Sequence, residues 1–135
     1  MRRKAIAALL LALALLLTAC AGGDITSEQV HLFYAARTET ARGGDAITSI
    51  KARIPGWADM TTIERAEQVL ERLLSGAAQG VGSPIPEGTE LLGCEVVGGT
   101  ASVDFSAPYG ELSGMALTIA DYCVTLSLTQ IPGIY

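Results

Sequence analysis

The 135-residue chain is predicted to be an α+β protein, because strand-like and helix-like segments follow one another in the order strand, strand, helix, loop, hairpin, helix. Two local signals support that class. A threonine-led capping box opens an amphipathic stretch, and a glycine pair separates two strand-like segments. Residues 1 to 28 stand outside this pattern.

The chain opens with Arg2, Arg3 and Lys4, followed by an apolar and small-residue run from Ala5 to Leu17, the layout of a secretory signal peptide. As a helix those thirteen residues reach about 20 Å, against a hydrocarbon core of about 30 Å, so a transmembrane anchor is the weaker reading. The run ends in Leu17-Thr18-Ala19-Cys20-Ala21-Gly22-Gly23. This segment resembles the bacterial lipobox, and the resemblance implies a signal peptide over residues 1–19, cleavage before Cys20, and lipid on that cysteine. Residues 20–28 then form a lipidated tether that holds the protein on the outer face of the cytoplasmic membrane. The alternative is an ordinary cleavable signal with a chance cysteine.

All fourteen acidic residues lie after Cys20, with six of the nine basic ones, so the part after the signal carries a net charge of −8. Such a surface repels nucleic acid and anionic headgroups, which leaves membrane attachment to the lipid. Residues 20 to 135 suffice for one small domain and not two. With Cys20 lipidated, Cys94 and Cys123 are an even pair in a compartment that permits disulfides, and a bridge between them is expected. It would close a loop of about thirty residues and contribute roughly 3.5 kcal/mol. Two buried thiols are the alternative. Two cysteines and one distant histidine do not make a closed tetrahedral set, so no metal site is expected.

Val30-His31-Leu32-Phe33-Tyr34 predicts a buried strand over about 29 to 36. Residues 38 to 45, with Gly43 and Gly44, read as a turn. A second strand runs from about Ile47 to Ile54, where Pro55 and Gly56 stop it. Thr61 and Glu64 then form the capping box of a helix to about Leu74, with Ile63, Ala66, Leu70, Leu73 and Leu74 on its apolar face and Gly76 ending it. The loop over 80 to 89 carries two prolines and three glycines and is expected to be irregular and rigid. Residues 91 to 97 and 101 to 105 predict a hairpin about Gly98-Gly99, with Ala101, Val103 and Phe105 inward and Ser102, Asp104 and Ser106 outward. A second helix, from about Gly114 to Gln130, follows from the spacing of Met115, Ile119, Tyr122, Cys123 and Leu126; Asp121 and Gln130 would be costly in lipid, which favours a core helix over a span.

This order, with particular residues, resembles the GerMN domain of sporulation and spore germination lipoproteins. The residues that carry the resemblance are Val30 to Tyr34, Ala66 to Gly76, the run from Ser83 to Leu92, Val103-Asp104-Phe105-Ser106, and Thr125 to Gln130. The resemblance spans residues 29–135. It implies a small mixed sheet with two helices packed on one face, similar to ring-building modules of sporulation complexes, and a non-enzymatic role. Ala77 stands where a proline is common. The family pattern also continues beyond the position of Tyr135 into a further strand, so the GerMN-like domain is expected to lack its last strand and to leave an unpaired edge.

Enzyme readings find little support in the residues. His31 lies inside an apolar strand, Asp104 and Ser106 have no base nearby in sequence, and Glu64, Glu67 and Glu71 read as helix surface. Trp57 reads as a core plug rather than an exposed contact. No phosphate-binding or zinc-helix motif is present, and no cofactor is expected. The expected function is that of an interaction and assembly module in sporulation, germination or envelope assembly, with envelope or sporulation proteins or a second copy as partners. The rivals are a peptidoglycan- or small-ligand-binding lipoprotein, with residues 83 to 89 as the platform, and an accessory of a cell-wall hydrolase.

Overall fold

The structure, a computed structural model, describes residues 28–37, 44–76 and 80–135. The leader, Cys20, the tether up to residue 27 and most of the turn over 38 to 45 lie outside the described residues.

The α+β class holds. Strands β1 (Gln29–Ala36) and β2 (Ile47–Arg53) pair antiparallel along their whole length, and a two-residue strand β3 (Val81–Gly82) adds to the other edge of β1 at Ala35 and Ala36. Strands β4 (Leu91–Val97) and β5 (Thr100–Phe105) form a separate antiparallel hairpin. The strands are thus divided between two sheets, where the family resemblance implies a single small one. The hairpin turn is Gly98-Gly99, both at positive φ (59° and 84°), which is the backbone that a two-residue primed turn requires.

Helix α1 (Thr62–Leu74) begins with the expected capping box. The Thr61 hydroxyl accepts from the Glu64 amide, and the Thr61 amide donates to the Glu64 carboxylate at 2.7 Å. Its buried face is Ala66, Val69, Leu70 and Leu73, packed on β4 and β1. Ile63, expected inside, is exposed, and Val69 takes the central place. Just before the helix, Trp57 is buried in a short 3₁₀ turn (Trp57–Asp59), as the core-plug reading expects. Arg65 locks it there. Its Nε donates to the Trp57 carbonyl at 3.0 Å, and its guanidinium lies 5.4 Å from the ring centroid.

After the hairpin comes a single helical turn, α2 (Ala107–Gly110), and then the long helix α3 (Gly114–Thr129). The core gathers Val30, Leu32 and Tyr34 of β1, the inner face of α1, Ile54, Trp57, Val81 and Ile85, with Val124 and Leu128 of α3 and Ile131 and Ile134 beyond it.

The facing of α3 departs from the expectation. Cys123 is buried as expected, but Met115, Tyr122 and Leu126 are exposed, at 72%, 58% and 37%, and the rest of the buried face is Ala120, Val124, Ser127 and Leu128. The helix is turned by roughly a third of a rotation from the stripe its spacing suggests. The reason is that α3 is apolar nearly all round, so periodicity does not choose a face. Polar bonds at the sheet edge choose it instead.

Candidate functional site

Two sheet edges organise the surface, and they are treated differently. In β1 the even-numbered residues pair with β2, and the odd-numbered backbone groups point to the opposite edge. There α3 stands in for a neighbouring strand. The Phe33 amide donates to the Ser127 hydroxyl at 3.0 Å, and the His31 amide donates to Gln130 Oε1 at 2.8 Å. Gln130 Nε2 in turn donates to the His31 carbonyl, so one carboxamide meets both backbone groups of a strand residue. With β3 continuing the pairing at Ala35, this edge of β1 is covered.

The outer edge of β5 has no such cover among the described residues. Thr100 pairs with Val97 across a two-residue turn, so Thr100, Ser102 and Asp104 direct their backbone groups to β4, and Ala101, Val103 and Phe105 direct theirs away. Among the described residues no strand pairs with that outer side. The backbone bond made there is at the turn, where the Tyr135 amide donates to the Gly99 carbonyl at 2.9 Å.

Between this edge and α3 lies a cavity of about 410 Å³. Ala101, Val103 and Phe105 form one wall, and Val124 and Leu128, with Asp121, Thr125 and Thr129, form the other. Phe105 stacks on Tyr109 with centroids 4.6 Å apart, and Tyr109 Oη donates to Asp121 Oδ1 at 2.8 Å, tying α2 to α3 across the far end. Burial, then the Asp121 bond, drives the Tyr109 hydroxyl pKa far above its ordinary value, so it remains a donor. Ile134 and Tyr135 bound the near end.

The other residues singled out in the sequence are placed as follows. Cys94 and Cys123 are free thiols, so the expected bridge is not formed in this structure. β4 packs principally on α1, where Cys94 is partly buried within the field of Glu67, while Cys123 is fully buried on α3. Burial raises both thiol pKa values, that of Cys123 to about 11. The His31 side chain is exposed. Asp104 is exposed on the outer face of the hairpin, and the Ser106 hydroxyl accepts from the Glu90 amide at 2.8 Å, a structural role. In the loop over 80 to 89, Pro84, Ile85 and Thr89 are buried, while Ser83, Glu87 and Gly88 are exposed. Among the described residues no His, Cys, Asp and Glu grouping could hold a metal ion, and no helix is long and apolar enough to cross a membrane.

What the fold and this surface define is a small α+β domain with one sheet edge capped by a helix and, among the described residues, no strand on the outer side of β5, which faces a largely apolar cavity. Residues 32–135 match the family model Germane, described as sporulation and spore germination. The match covers most of the chain, which therefore belongs to that family. No curated protein and no solved structure gives a significant match.

Proposed function

We propose that this protein is a lipid-anchored, extracytoplasmic interaction module that works in sporulation or spore germination by holding other envelope proteins, without catalysis of its own. The family supports the developmental setting. The observation that carries the interaction reading is the exposed apolar stripe of α3. Met115, Tyr122 and Leu126 recur at helical spacing on a helix whose sole charged residue is Asp121. A helix apolar on both faces is ordinarily covered on both. The lipobox resemblance at Cys20 supports anchoring, since two acyl chains suffice for stable membrane attachment.

Crosslinking and mass spectrometry of the tagged protein, from growing and from sporulating cells, tests the reading. Capture of envelope or spore proteins, reduced by Met115→Lys with Tyr122→Lys, is the expected result. Recovery of peptidoglycan fragments alone would instead favour a wall binder. In the same cells Cys20→Ala is expected to move the protein from the membrane to the soluble fraction, and an unchanged distribution sinks the anchor.

A further inference from the structure

The apolar residues on the outer side of α3 have an ordered spacing. Met115, Ile119, Tyr122 and Leu126 follow one another at steps of four, three and four. On a helix of 3.6 residues per turn these steps hold them within a band of about 60°. Met115, Tyr122 and Leu126 are exposed and Ile119 is half-buried. The pattern is a heptad seam, with Ile119 and Leu126 at a and Met115 and Tyr122 at d. It runs roughly opposite the buried Ala120 and Val124. The side of α3 that lines the cavity, with Asp121 and Thr125, lies about a third of a turn round the helix from the seam, so a strand laid along β5 would not reach its centre.

Spacing selects the occupant. The midpoint between Met115 and Leu126 is also the midpoint between Ile119 and Tyr122. A two-fold axis there sets a second α3 antiparallel to the first, with Met115 against Leu126 and Ile119 against Tyr122, an a residue facing a d residue in each layer. Charge agrees with this. Partner choice in helix pairing is set by charges at e and g, and the exposed residues there are Ala116, Thr118 and Thr125. Asp121 lies on the cavity side, where it accepts from Tyr109. The sequence after Cys20 is net −8, yet the seam itself brings no carboxylate against its copy, and charges farther than about 8 Å are screened at physiological salt. A bilayer is a poorer occupant, because helices lying in the interface flank their apolar face with lysine and arginine, and α3 contains neither.

We propose that α3 is a pairing seam for a second copy of this chain, antiparallel about a two-fold axis through Met115, Ile119, Tyr122 and Leu126. Four residues a side are few against the roughly twenty of a standard interface, so the pair depends on concentration, which the lipid anchor raises by confining copies to one plane. The proposal rests on the interaction reading above and deepens it by naming the partner that covers α3. Two paired copies then hold any further protein with two surfaces.

The test uses the full chain in the membranes of the cells that make it. A chain carrying Met115→Cys is co-produced with a differently tagged chain carrying Leu126→Cys, and disulfides are formed with copper phenanthroline. The mixture is expected to give at least tenfold more crosslinked dimer than either variant produced alone. Ile119→Cys with Tyr122→Cys is expected to repeat the result, and serves if the first pair unfolds. Adding Met115→Lys to both chains of this second pair is expected to lower its crosslink several-fold, and adding Leu126→Glu as well is expected to restore it, since the two-fold sets position 115 against position 126. Equal dimer from the mixtures and from single variants overturns the proposal. So does self-linking of the Met115→Cys chain, which marks a parallel pair. If neither cysteine pair links while the unaltered chain still captures envelope proteins, the second copy is wrong and the interaction reading stands. If both pairs link and no other protein is captured, the pairing stands and the holding of other proteins fails.

Discussion

The Phe33 amide donates to the Ser127 hydroxyl across 94 residues of sequence, at 3.0 Å. A helix side chain here occupies the place of a strand backbone, and Ser127 is fully buried in doing so. Ser127→Ala removes the acceptor and leaves a part-buried donor without a partner, for about 1–3 kcal/mol. In a domain of this size that corresponds to roughly 4–8 °C of Tm for each kcal/mol. Thermal melts should show the loss, with faster exchange of the Phe33 amide, while Thr125→Ala on the exposed side leaves both unchanged. Equal melts for the two variants would remove Ser127 from this role.

The capping box links Thr61 and Glu64 to pH. The Thr61 amide, then its hydroxyl, holds the Glu64 carboxyl below the usual carboxylate range. A pKa lowered in the folded state means that the contribution is present above the unfolded value, near 4.3, and is lost as pH falls through the folded one. Glu64→Ala, which removes the carboxylate that the Thr61 amide holds, should destabilise the protein near neutral pH, and the difference from the parent should shrink as the solution is acidified below about pH 4. Urea titrations at several pH values check this, and a difference that grows on acidification would contradict it.

Cys123 should be chemically quiet in the folded protein. Its side chain is fully buried and its thiol pKa is raised to about 11, so little thiolate exists at pH 8 and little of it is accessible. Iodoacetamide is expected to label the Cys123 peptide at least tenfold more slowly in buffer than in denaturing urea, read by mass spectrometry under non-reducing conditions. A Cys94–Cys123 linked peptide in the same digest would show the bridge that this structure lacks.

At the hairpin tip, Gly99 has φ +84°, and a Cβ there would run into the Tyr135 ring. Gly98, at φ +59°, has open space around it. Gly98→Ala should therefore cost only the left-handed strain, roughly 1–2 kcal/mol. Gly99→Ala should add displacement of Tyr135 and loss of its bond to the Gly99 carbonyl. The measurement is a paired melt with amide exchange at Tyr135. Identical behaviour of the two variants would mean that the ring does not rest on the turn.

Much of the fold is legible in sequence where a local rule has one answer. Thr61 and Glu64 announce the start of α1, Gly98-Gly99 announces the hairpin, and the ends of β1 and α1 fall where apolar patterning and Gly76 put them. The short elements β3 and α2 escape such a reading, because two to four residues carry no period.

The candidate site was less legible than the fold. Ala101, Val103 and Phe105 alternate as an inward-facing strand set should, but which of their backbone groups stay open depends on what lies beside β5, and that is a matter of distant residues. Only the tertiary structure decided the facing of α3. Its sequence is apolar nearly all round, so the choice between Met115, Tyr122 and Leu126 and the face of Ala120, Val124 and Leu128 fell to Ser127 and Gln130, which bond to an edge of β1 almost a hundred residues away. By itself the sequence determined the α+β class and the elements whose signals are local. Which sheet edge α3 covers is set by long-range hydrogen bonds and packing, and these exist only once the chain has closed on itself.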